Sequence, residues 1–157
     1  MRRVALLSML ALLVGACVDA PYAELRQRSS QPIPGTLSAS LEPPGEADPR
    51  LDPSAAIESA PLPDGADVEI ALARVRDAIE GLDVGPAWVL VARGVCIRED
   101  KGELVSDARG DVPGDDLACT RSTFLLVAID AATGASLLTI TGYDETLAWR
   151  PDVAGLA

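Results

Sequence analysis

The sequence predicts an α+β class: one N-terminal helix packed on a small antiparallel sheet of about three to four strands, preceded by a signal peptide and a disordered tether. Three observations predict it. Val68, Leu72, Val75, Ile79 and Leu82 recur at spacings of four, three, four and three, which is the apolar stripe of an amphipathic helix. Residues 88–98, a nearly all-apolar run, and the segments 124–129 and 136–141 read as strands. Nine of the 12 prolines fall between residues 18 and 65, where apolar residues occur singly and without period.

The elements follow in order. Arg2-Arg3 precedes an apolar run of 11 residues, Val4–Val14, and then the junction Val14-Gly15-Ala16-Cys17. A positive start, an apolar core and small residues make a secretory signal. A membrane-spanning helix needs about 20 apolar residues, and Asp19 and Pro21 close this run too early. The junction is similar to the site that a bacterial lipoprotein signal peptidase accepts. The expectation is that residues 1–16 are removed and that Cys17 is acylated. The lipid bilayer is then a partner through Cys17, at the cell membrane or the outer membrane, with the domain outside the cytoplasm. A plain signal peptide with an incidental cysteine is the alternative. Val18 follows the cysteine, in place of the Asp that holds lipoproteins at an inner membrane.

Cysteine parity points the same way. The chain has three cysteines. With Cys17 lipidated, Cys96 and Cys119 remain, and in an exported chain two cysteines most simply form one disulfide. Closing that loop is worth about 3 kcal/mol in the chain-entropy account. With no histidine in the chain, two lone cysteines do not complete a zinc set.

Residues 17–65 are expected to be the lipidated cysteine and a disordered Pro/Ser/Ala-rich tether, about 35–40 Å between its ends on average. The small domain is expected at 66–147. Asp67 can cap its helix and Gly81 can end it. Pro86 breaks the pattern before the strand 88–98, in which Gly94 suggests a bulge. Residues 99–118 form a polar, acidic excursion. The strands 124–129 and 136–141 flank Asp130-Ala131-Ala132-Thr133-Gly134, whose Asp and Gly suit a hairpin turn. Residues 148–157 are expected to be a loose tail.

The charge excludes one class of partner. The chain carries 24 Asp and Glu against 13 Lys and Arg, a net charge of −11. Nucleic acid is not an expected partner. Nor is a reaction predicted. Ser122 and Thr123 have no histidine to activate them, no pair of carboxylates stands out, and Asp130 has a turn to cap. No cofactor, metal ligand or catalytic residue is assigned. The acidic loop 99–116 offers oxygen ligands for a cation, but it lacks the spacing of a helix-loop-helix calcium site.

The stretch from Ile129 to Leu137, Ile-Asp-Ala-Ala-Thr-Gly-Ala-Ser-Leu, follows an apolar strand and resembles the C-terminal hairpin of PepSY-type domains. With the helix expected at 67–82, the resemblance covers residues 67–142. It implies a small exported module in which a helix packs on an antiparallel sheet, associated with protease inhibition and with regulation at the cell envelope. No residue role is carried over. The functional expectation is a membrane-anchored, non-enzymatic binding or regulatory module, with an unidentified envelope or extracellular protein as partner. A solute- or cation-binding lipoprotein using the acidic loop is the alternative.

Overall fold

A computed structural model describes residues 22–98, 103–106, 122–143 and 149–154. Among the described residues the fold is an antiparallel sheet with one short α-helix, and this corrects the expected class of a helix on three to four strands. The strands are β1 (Gln31–Pro32), β2 (Ala39–Glu42), β3 (Asp67–Asp77), β4 (Leu82–Arg98), β5 (Glu103–Ser106), β6 (Ser122–Asp130) and β7 (Ser136–Tyr143). Their order is β1-β2-β3-β4-β6-β7, and β5 pairs with the far end of β4. The helix α1 spans Pro53–Ser59.

The stripe that predicts a helix at 67–82 belongs to a strand covered on both sides. Leu72 packs on one face of the sheet and Val75 on the other. Ile79 lies in the turn between β3 and β4, 68% exposed. A strand buried on both faces is apolar at odd and even positions alike, and such a run can mimic a helical period. Ala71 and Ala73 strengthen the mimicry, because alanine favours helix. Within β3 each is fully buried.

Long β4 is the centre of the sheet, with β3 on one side and β6 on the other. Its register slips twice. Opposite β3 the slip lies between Ala73 and Val75, where β4 supplies Gly85 and Pro86. Gly85 has φ +145, and a Cβ there would stand 2.9 Å from the Arg74 Cα, so only glycine fits. Opposite β6 the slip lies between Ala92 and Val95, at the expected Gly94.

The sheet curls around one core. Leu41, Val75, Val89, Leu126 and Phe124 line its inner side and are essentially inaccessible to solvent. The curl brings the β1–β2 turn to β7: a Cβ built on Gly35 would lie 3.6 Å from the Gly142 Cα. Gly142 itself lies under the Phe124 ring, where a Cβ would overlap ring carbons.

The outer side carries a second core of Leu72, Trp88, Leu90, Leu125, Val127 and Ile129. Residues expected as a disordered tether cover it. Tyr22 stands edge-on to Trp88 with ring centroids 5.4 Å apart. The Trp88 indole N–H donates to the Leu51 carbonyl at 2.6 Å. The backbone N–H groups of Arg50 and Leu51 both donate to the Ala131 carbonyl. Asp52 caps α1 by accepting from the Ala55 N–H at 2.9 Å, with Pro53 at the first turn. Ala56 then faces the sheet, fully buried. The proline-rich composition is real, but several of its isolated apolar residues, among them Leu25, Ile33, Leu41, Leu51 and Leu62, pack on the sheet, while Leu37 and Ile57 stay exposed. Pro32 sits on an edge strand, where a missing N–H is tolerated.

The tail is likewise docked where a loose segment was expected. Arg28 N–H donates to the Asp152 carbonyl, Asp152 N–H to Gln27 Oε1, and Ala154 N–H to the Glu24 carbonyl. Gln27 is 2% exposed and its own N–H donates to the Leu72 carbonyl of β3. The segments 24–28 and 152–154 therefore lie side by side on the β3 edge.

Candidate functional site

Among the described residues, charged side chains converge at one place. Glu69 on β3 and Arg93 on β4 project toward the inner core at the end of the sheet away from the β3–β4 turn. Their strands pair there, with Glu69 opposite Val91 and Asp67 opposite Arg93. Glu69 Oε2 accepts from Arg93 Nη2 at 2.8 Å and from Arg93 Nε at 3.2 Å. Arg150 Nη1 stands 3.2 Å from Glu69 Oε1. Both Glu69 and Arg93 are about nine-tenths removed from solvent, whereas Arg150 is half exposed. Arg93 Nη2 also donates to the Trp149 carbonyl. The Trp149 ring then packs on the inner core, with its centroid 6.4 Å from that of Phe124.

The physical meaning of this cluster is a clasp. A carboxylate taken from water needs a matched, hydrogen-bonded cation. Here one carboxylate carries two guanidinium groups, and both bring in the C-terminal segment. With both oxygens of Glu69 engaged by cations, the group is poorly placed to act as a general base. The sequence contained a signal for it: Glu69 is a lone acid inside the run Val68–Ala73, and Arg93 ends the run Trp88–Ala92. A charge inside an apolar run marks a buried ion that requires a partner.

The residues singled out from sequence are scattered by comparison. Cys17, Cys119 and the segment 1–16 lie outside the described residues. Cys96 sits in β4 with Ser122 of β6 as one Cα partner and Val105 of β5 as the other. Of the acidic loop 99–116, residues 103–106 form β5 where a loop was expected, and the remainder lies outside the described residues. Ser122 and Thr123 occupy β6.

Asp130 is a turn residue. Its Oδ1 accepts from the Ala132 N–H at 2.8 Å, the Thr133 N–H at 2.7 Å and the Thr133 hydroxyl at 2.9 Å. The Ala132 and Thr133 N–H bonds, then the Thr133 hydroxyl, hold its carboxyl below the usual range. Asp77 is held low first by the Ser38 hydroxyl and then by the Glu80 N–H, which joins the β1–β2 and β3–β4 turns. Both are structural caps that stay ionised.

An open groove of about 240 Å³ runs beside β1 and β2, lined by Ser30, Gln31, Pro32, Thr36, Ser38 and Ser40 together with Leu37 and Ala39. It offers hydroxyls and one amide, with no group that titrates near neutral pH. Among the described residues no three His, Cys, Asp or Glu side chains are grouped to hold a metal ion. Among them also, no helix is long and apolar enough to cross a membrane.

Comparison with protein-family models, with curated proteins and with solved structures gave no match to this chain.

Proposed function

We propose that this chain is an exported, lipid-anchored protein whose sheet domain serves as a non-enzymatic binding or regulatory module at the cell envelope. The observation that carries the reading is the junction Val14-Gly15-Ala16-Cys17 behind an apolar leader, only five positions ahead of Tyr22. Tyr22 already packs on Trp88. A fully extended stretch of five residues reaches about 17 Å. An acyl chain on Cys17 therefore keeps the domain close against the membrane surface and not at the end of a long spacer.

The converging charges support a binding role over a catalytic one. Glu69, Arg93 and Arg150 are consumed as a matched cluster. The carboxylates of Asp77 and Asp130 are committed to turns. The hairpin of β6 and β7 keeps the Asp-Ala-Ala-Thr-Gly turn of the PepSY resemblance, and an exported protease is the first partner class to try. The helix of that resemblance is strand β3, so the partner test must stand on its own.

Fractionation of cells making the wild-type chain and Cys17→Ser tests the anchor. Wild type is expected in the membrane fraction and released by detergent, and the variant in the soluble exported fraction or retained as precursor. Identical partitioning of the two as soluble, processed chains would overturn the reading.

A further inference from the structure

We propose that β7 is a homodimerisation strand, through which two copies of this chain pair antiparallel and join their sheets. β7 is eight residues long and its ladder partner among the described residues is β6 alone. From Ser136 to Tyr143 it contains no charged residue, in a chain of net charge −11. It also contains no proline. Long, uncharged edges without proline or lysine are the ones that recruit another strand. The opposite edge is guarded: β1 is two residues long, and Pro32 and Pro34 flank Ile33.

The occupant follows from charge and from the side chains. Two acidic chains repel wherever their carboxylates meet, so an uncharged strip is where a second copy approaches most easily. Leu137, Leu138 and Ile140 pack against the inner core yet stay partly open to solvent, while Thr139 and Thr141 are exposed. The β1–β2 turn reaches Gly142, which leaves residues 137–141 for pairing. With Thr139 opposite its own counterpart, Leu138 faces Ile140 of the second copy and Leu137 faces its Thr141. At its centre this register places Leu138 against Ile140 on the core side and Thr139 against its own counterpart on the other, and the outer pair of Leu137 with Thr141 is mixed. The central pairs are favourable cross-strand pairs. It also keeps the inner faces of the two sheets on the same side, because residues opposite one another in an antiparallel pair point the same way.

A ladder of five residues is a small interface, so the dimer is expected to be weak and concentration-dependent. Sedimentation equilibrium of the full chain in detergent is expected to show the mass rising from one chain to two with concentration. Thr139→Lys, which places a charge on an exposed edge position, is expected to hold the protein at one chain throughout. Thr139→Cys provides a readout that does not depend on that variant folding well. In cells it is expected to give a reducible dimer whose peptides are joined through position 139, whereas Ala132→Cys in the exposed β6–β7 turn is not. A single chain at every concentration with no adduct at 139 would overturn the proposal. So would a dimer that survives Thr139→Lys, or an adduct at 139 to a different protein.

Discussion

Glu69 and Gln27 are polar side chains that the described fold takes almost wholly out of water. Each holds the C-terminal segment, one through Arg150 and Arg93, the other through the Asp152 N–H. Removing one member of a buried ion cluster strands the other charge, at a typical cost of about 3–5 kcal/mol. Glu69→Ala is therefore expected to lose about 3 kcal/mol in urea unfolding, and to make residues 149–154 exchange amide protons faster than in wild type. Unchanged stability and protection would show that the clasp contributes nothing. Asp130 gives a pH test of opposite character. Its folded pKa is lowered, chiefly by the Ala132 and Thr133 N–H groups. Its contribution to stability is thus full above the unfolded pKa of about 4 and is lost as pH falls through the lower folded value. Asp130→Ala is expected to be less stable than wild type at pH 7, with the gap narrowing as pH falls below the unfolded value. A gap that does not change with pH would assign the effect to packing alone.

At the scale of elements, β2 decides whether the proline-rich region belongs to the domain. Leu41 pairs with Val75 and is fully buried in the inner core. Leu41→Ala is expected to destabilise the protein by about 2–5 kcal/mol in chemical denaturation. A loss near zero would mean that residues 22–66 do not fold onto the sheet. The same residues explain what was legible in the sequence. The hairpin of β6 and β7 could be read because its turn chemistry is local: Asp130 and Gly134 act within five residues of one another. Gly94 marked its bulge for the same reason. β3 could not be read from its own period, because what fixes it as a strand is burial on both faces by partners elsewhere in the chain. Leu41 and Ile33 were hidden among prolines, since each apolar residue there acts singly and no period forms. The clasp of Glu69, Arg93 and Arg150 joins residues 81 positions apart, beyond any local motif. Its one legible trace was a charge lodged in an apolar run.

At the scale of the whole molecule, Tyr22, Leu25 and the stretch 51–66 cover the outer face of a curled sheet, and segment 24–28 lies on the β3 edge and holds residues 152–154. The first described residue, Tyr22, belongs to that covering layer. In sequence, four positions, residues 18–21, separate Cys17 from Tyr22, where a tether of nearly 50 residues was expected. Under the proposed acylation, an anchor at Cys17 would limit which surfaces a partner can reach. Mass spectrometry of the N-terminal peptide from purified membranes tests the proposed anchor. A mature chain that begins at Cys17 and carries an added acyl-glyceryl mass on that residue is expected. A mature chain cut at another position, or an unmodified Cys17 thiol, would contradict it.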